Sequence, residues 1–300
     1  NCLIVAPGYP APAGNAMIEI TPSGEACGAT VTGVDLSSEL DATTVAMLRE
    51  AWLQHHVLAF PEQALSDERL ERVVDYFGVF GSEPFFGTID GSDHVVALTR
   101  KADEKAPLFA ENWHSDWSFL PQPPIGTCLY SIVIPPVGGD TGFINQQKAL
   151  QEMPLQLRKQ LEGQIALHSA RTAYAPDGMY GKNDRAAGRS MSIRFSEEAR
   201  EVCGHHFIGK HPESGRDTLL GCIGYIIGIE GMPDEEALSL LLELYEWQTR
   251  EEFQYTHRWE ENMFIIWDNR SVLHRAYGGY DGYDRILHRV TVAADPGKYL

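Results

Sequence analysis

Apolar and polar positions follow two rhythms along this 300-residue chain. From Ala42 to His56, Val45, Leu48, Trp52 and Leu53 recur at helical spacing behind a capping Asp41, and the apolar run from Val57 to Phe60 then stops at Pro61. That pattern predicts a helix followed by a buried strand. Ser66, Asp67 and Glu68 open a second helix that carries Leu70, Val73, Val74 and Phe77 and closes at Gly78. A β-rich run from Gly126 to Pro135 ends in Pro135-Pro136 and Gly138-Gly139, and a helix is predicted from about Gln147 to Leu161. A late helix, from about Asp234 to Glu251, sets Leu238, Leu241, Leu242 and Tyr245 on one stripe. Two closing strands, about Asn262 to Trp267 and Arg285 to Ala293, flank a connection rich in Gly and Tyr. Between His168 and Arg216, Gly, Asn, Asp and Ser recur without a period, which predicts a loop-rich insertion suited to covering a site. Strands at the centre and end with helices early and late predict an antiparallel sandwich or barrel with packed helices.

A hydrophobic content of 43% supplies a substantial core, and one domain over residues 1–300 is expected, with residues 1–16 as a trimmed or disordered N-terminal arm. The formal net charge of −18 repels phosphate backbones and anionic lipid surfaces, so neither nucleic acid nor membrane is an expected partner. A local arginine cluster beside a metal can still dominate the field inside a cleft, so a small anionic ligand stays open. Five scattered cysteines without a C-x-x-C spacing indicate neither a disulfide framework nor a zinc finger. With no basic leader and no run of about 18 apolar residues, a cytoplasmic protein is expected.

The stretch Asn112-Trp113-His114-Ser115-Asp116-Trp117-Ser118-Phe119 alternates, and as a strand it would turn Asn112, His114, Asp116 and Ser118 to one face. An imidazole and a carboxylate two residues apart can then share a metal, with a third ligand from elsewhere. Taken alone the spacing is weak, since a satisfied surface or core pair gives the same letters. The apolar strand Met263-Phe264-Ile265-Ile266-Trp267 runs through Asp268-Asn269-Arg270 towards His274. In the last strand, Arg285, Leu287 and Arg289 share a face, which presents either two anion clamps or two cations solvated on an edge strand or paired with internal acids.

The sequence resembles the taurine dioxygenase-like family of iron(II), 2-oxoglutarate-dependent oxygenases. The resemblance rests on Gly28 through Leu36, Trp113-His114-Ser115-Asp116, Gly138-Gly139-Asp140-Thr141, Trp267-Asp268-Asn269-Arg270, His274, and Arg285 with Arg289. It implies a double-stranded β-helix, or jelly roll. His114, Asp116 and His274 would be the metal ligands, Thr141 and Arg285 the contacts to 2-oxoglutarate, and Arg289 a residue facing the prime substrate. The family couples decarboxylation of 2-oxoglutarate by O2 to hydroxylation of a substrate C–H bond, with the adduct sometimes cleaving. Trp267 is expected to wall the co-substrate. Asn112, Phe85 and Phe86 are expected near the prime substrate, a small anionic compound such as a sulfonate, sulfate ester or aryloxyalkanoate. A homodimer or homotetramer is implied. The competing class is a non-oxidative jelly-roll metalloprotein: a zinc hydrolase or isomerase, or a metal-bearing binding module.

Overall fold

In the computed structural model, residues 17–294 are described, so the expected N-terminal arm lies outside the described residues. The strands assemble into a major and a minor sheet facing each other, with helices on the outside of the major one. The major sheet runs in spatial order Glu19–Pro22, Ala29–Thr32, Val57–Phe60, Phe264–Asp268, Gly126–Val133, Arg285–Ala293 and Val79–Phe80, and Val96–Arg100 also pairs with Arg285–Ala293. The minor sheet is Gln254–His257, Thr141–Asn145 and Val272–Ala276, all antiparallel. This is the expected mainly β jelly roll with packed helices.

Period-two alternation sorts the central strands into two cores. Val57, Ala59, Leu129, Ile265, Trp267 and Leu287 face inward and meet Phe143, Tyr255 and Val272 of the minor sheet. Their neighbours Leu58, Phe60, Cys128, Tyr130, Phe264, Ile266, Val290 and Val292 face outward. There they meet Leu48 and Trp52 of helix Ala42–His55 and Leu70, Val73 and Val74 of helix Asp67–Asp75. Burial on both faces explains the unbroken apolar runs. Both helix starts are capped as the letters suggest: an Asp41 carboxylate oxygen accepts from the Thr44 N–H at 2.8 Å, and Ser66 Oγ from the Arg69 N–H at 3.3 Å.

Two expectations need correcting. The helix placed over 147–161 is two, Gln146–Gln151 and Leu155–Leu161, because Pro154 disfavours helical backbone at Met153. Helix Asp234–Gln248 buries Ala237, Leu240, Leu241 and Leu244, while Leu238 and Leu242 are exposed. The leucine-rich stretch fits two neighbouring stripes equally well, and packing against Ala166, Ile226 and Ile229 selects one. The 168–216 segment is loop-rich with short elements set into it. Cys203–His206 joins Ile165–His168 and Ile226–Ile229 in a three-stranded sheet, and Ile208–Lys210 pairs with Asp217–Leu219. Among the described residues, no helix is long and apolar enough to cross a membrane.

Buried histidines give the fold a pH dependence of definite sign. Burial pushes His56 down to about 4 and His168 and His257 to about 3. Each folded value lies below the unfolded value of about 6.5. As pH falls below 6.5 the unfolded chain therefore takes up protons that the native state refuses, and stability declines. Each of the three should remove about 2 kcal/mol by pH 5. Chemical denaturation of the metal-free protein at pH 7 and pH 5 checks this; equal midpoints would contradict it.

Candidate active site

His274 lies on Val272–Ala276, and His114 on the segment that pairs with that strand through a single antiparallel bridge. Two reciprocal hydrogen bonds hold the two backbones: His114 N–H donates to the His274 carbonyl at 3.0 Å, and His274 N–H to the His114 carbonyl at 2.8 Å. The imidazoles stand with ring centroids 4.2 Å apart. The expected strand over Asn112–Phe119 does not form beyond this bridge, because the chain turns after Ser115 and Trp117 takes a left-handed conformation with φ of 47°. A bulky residue pays for such a backbone in strain, and here the turn directs Asp116 back at the histidines. One ligand atom from each of His114, Asp116 and His274 lies within 4.8 Å of the other two. His114 Nε2 is 3.9 Å from Asp116 Oδ1, and His274 Nε2 is 3.7 Å from Asp116 Oδ2.

The donors are in the protonation states a divalent cation needs. Burial pushes both imidazoles down, His274 further because His114 adds to it, so each is neutral near pH 7. Burial pushes the Asp116 carboxyl up, but Arg289, the two imidazoles and the Thr127 hydroxyl outweigh it and hold the group well below the usual carboxylate range. Two neutral imidazoles and one carboxylate on one side are the donor set of non-haem iron(II) sites, and they leave positions open for co-substrate and oxygen. These residues fit that ion.

A hydrogen-bonded chain stands behind the carboxylate. Trp267 Nε1 donates to Asn269 Oδ1 at 2.9 Å, Asn269 Nδ2 to Thr127 Oγ1 at 2.9 Å, and the Thr127 hydroxyl to Asp116 Oδ2 at 2.6 Å. On the other side, Asn112 accepts from His114 Nδ1 through its carbonyl at 2.8 Å, which leaves Nε2 facing Asp116. Such supporting contacts fix ligand orientation. Thr127→Val removes both the hydroxyl that orients Asp116 and the acceptor for Asn269. Iron(II) binding is expected to weaken about tenfold. Anaerobic calorimetric titration reads this, and an unchanged affinity would remove Thr127 from the arrangement.

Beside the three side chains opens a cleft. Leu98, Leu129, Trp267 and Leu287 give it apolar walls, and Thr141, Arg285 and Arg289 polar ones. Arg285 is buried; its Nε donates to the Gly139 carbonyl at 3.1 Å, and its guanidinium lies 5.9 Å from the Trp259 and Tyr280 ring centroids. Among the described residues no carboxylate comes within ion-pair distance of it. Burial pushes its pKa down, the mark of a desolvated cation without a close counterion. The Gly138-Gly139 pair follows from this packing: Gly139 has φ of 74°, and a Cβ there would sit 3.1 Å from Arg285 Nε. The Thr141 hydroxyl accepts from Trp259 Nε1 at 2.9 Å.

Arg289 has a different setting. Its Nε donates to Glu83 Oε1 and its Nη1 to Asp116 Oδ1, both at 3.0 Å, between the rings of Phe86 and Trp117. Of the two readings open from sequence, internal pairing describes most of its surroundings. Phe85 and Phe86 do not line the cleft: they are 5% and 1% exposed, and Phe85 stacks on Tyr174 at 4.5 Å. Their apolar size suits them to packing around Trp117. Asn112 is exposed and borders an adjoining cavity with Tyr174, Tyr180 and Tyr225. His205 and His211 bind the Leu120 carbonyl and Asp268, and stand outside the metal cluster. Sequence reasoning missed the placements of Thr127, Glu83 and Arg189. Arg189 lines the cleft from the 168–216 segment while paired with Asp184.

Comparison with known proteins agrees with this geometry. Residues 19–291 match the family described as taurine catabolism dioxygenase TauD, TfdA family. An alkylsulfatase of Acinetobacter baylyi is 31% identical over 89% of this chain and 82% of its own length. An alpha-ketoglutarate-dependent sulfate ester dioxygenase of Pseudomonas putida is 31% identical over 93% of this chain and 90% of its own. A taurine dioxygenase structure from Burkholderia xenovorans superposes with a TM-score of 0.75 at 30% identity, covering 93% of this chain and 91% of the other. This chain therefore belongs to the TauD/TfdA family and is a 2-oxoglutarate-dependent dioxygenase that uses iron(II) and O2.

Proposed function

We propose that the enzyme hydroxylates a small organic anion with an apolar body, such as a sulfate ester, sulfonate or aryloxyalkanoate, with His114, Asp116 and His274 holding iron(II) and with Arg285 and Thr141 holding the distal carboxylate of 2-oxoglutarate. The observation that carries the residue roles is Arg285: a buried guanidinium, facing a cleft beside three metal-type donors, with no acidic partner among the described residues. A buried cation of this kind costs stability unless a ligand supplies the charge. A carboxylate fits the planar fork through two parallel hydrogen bonds. When bound, the iron supplies oxidative decarboxylation of 2-oxoglutarate coupled to attack on a C–H bond. The protein's own share is positioning and exclusion of water. Leu98, Leu129 and Leu287 keep the cleft apolar, Trp267 packs 4.6 Å from the His274 ring, and Arg289 and Thr127 fix the Asp116 oxygens.

The substrate class rests on the relatives: besides the two sulfate-ester enzymes, a (S)-phenoxypropionate/alpha-ketoglutarate-dioxygenase of Delftia acidovorans is 31% identical over 86% of this chain and 89% of its own length. Arg189 and Met191 reach the cleft from the 168–216 segment, which supports reading that segment as its cover. The test is a screen of alkyl sulfates, alkyl sulfonates and aryloxyalkanoates for iron(II)- and 2-oxoglutarate-dependent succinate release above the substrate-free rate. Stimulation by one or more of these is expected. Stimulation confined to uncharged or cationic compounds would overturn the substrate class.

A further inference from the structure

Arg289 shares the inner face of Arg285–Ala293 with Arg285, yet the two guanidiniums are in opposite electrostatic states. Among the described residues no carboxylate lies within ion-pair distance of Arg285, whereas Arg289 is bracketed by Asp116 and Glu83. The Glu83 side chain is itself buried, and both its oxygens are engaged: Oε1 accepts from Arg289 Nε and Oε2 from Trp117 Nε1, each at 3.0 Å. What remains on Arg289 is Nη2, a buried group with no partner among the described residues, on a side chain that lines the cleft. A buried N–H donor without an acceptor points to an oxygen supplied by a ligand.

We propose that Glu83 is a specificity-determining residue: by occupying the Nε side of Arg289 and countering its charge, it leaves a single nitrogen for a substrate oxygen and weakens the hold on anionic head groups. The inference rests on the reading that Arg289 borders the prime substrate. A guanidinium with its Nε and Nη2 edge free can grip two oxygens of a carboxylate or sulfonate in parallel. With Nε taken, that fork is closed and one N–H group remains. Asp116 faces the metal, so Glu83 is the carboxylate left to offset the arginine, and in a low-dielectric cleft a charge this close reaches the ligand with little screening. Selection then falls on the apolar body of the substrate, which the leucine-lined cleft accommodates, more than on its charge.

The test compares matched ligands by calorimetric titration into anaerobic protein holding iron(II) and 2-oxoglutarate. Phenoxyacetate and hexyl sulfate serve as anions, and phenoxyacetamide as the uncharged counterpart of the first. Glu83→Gln keeps the size and one acceptor but removes the charge. It should tighten both anions about tenfold and leave phenoxyacetamide within about twofold. Glu83→Asp, which keeps the charge, should restore the wild-type ratio, and Glu83→Ser provides a second uncharged variant should the glutamine fail to fold. Equal shifts for charged and uncharged ligands would reduce Glu83 to a structural support. Weaker anion binding, or none measurable, in both uncharged variants would show that it orients Arg289 as an anion clamp; either result overturns the proposal. Failure of the parent reading appears elsewhere, as no stimulation of succinate release from the wild-type enzyme by any anionic compound of the screen.

Discussion

Asp116→Ala is expected to reduce substrate-coupled turnover by about three orders of magnitude or more, because on the proposed assignment it removes the one anionic ligand of the iron on which turnover depends. The structure adds a second consequence. Arg289 Nη1 loses its acceptor, and the buried guanidinium keeps only Glu83. Breaking one side of a buried ionic arrangement typically costs about 3 kcal/mol or more, so the variant should also melt earlier than the parent with no metal present. Iron(II) titration and metal-free thermal unfolding separate the two effects. Metal binding at wild-type strength would remove Asp116 from the ligand set, and unchanged metal-free stability would mean that Arg289 finds another acceptor.

Arg285→Ala should raise the 2-oxoglutarate requirement about a hundredfold, since two charge-assisted hydrogen bonds to one carboxylate contribute roughly 3 kcal/mol together. The fold should tolerate the change, because among the described residues Arg285 makes one hydrogen bond, to Gly139, contacts with two rings, and no ion pair. Steady-state kinetics at varied 2-oxoglutarate with saturating metal measures it, and Arg285→Lys should recover part of the loss by restoring charge without the fork. A KM for 2-oxoglutarate within about threefold of the parent would refute the assignment. Arg289→Ala, by contrast, should disturb metal binding as well as substrate binding, because that side chain touches Asp116.

The residues that converge were visible in the letters: His114, Asp116, His274, Thr141, Trp267 and Arg285 all border one cleft or its metal cluster. An unbroken apolar run is a strong signal for a strand buried on both faces, and Val57–Phe60 forms over the residues its run suggests, as does Arg285–Ala293. Where reading failed, two local patterns competed or a distant contact decided. Asn112–Phe119 alternates like a strand, but the left-handed turn at Trp117 ends it, and no local period encodes a bulky residue in that conformation. The helix leucines satisfy two stripes, and only the neighbouring sheet chooses. Glu83 and Arg289 lie 206 positions apart, so their pairing, and with it the electrostatic state of a cleft arginine, is a product of topology that spacing does not carry.

The paired backbones of His114 and His274 bear on how the enzyme is loaded with metal. Because main-chain amides and carbonyls already clasp the two histidine-bearing segments together, an arriving ion has no flexible loop to gather. Uptake should be governed by shedding of its hydration water, leaving little ordering of the chain to slow it. Iron stripped by a chelator should thus return to a polypeptide whose amide-exchange protection around these two segments has scarcely changed.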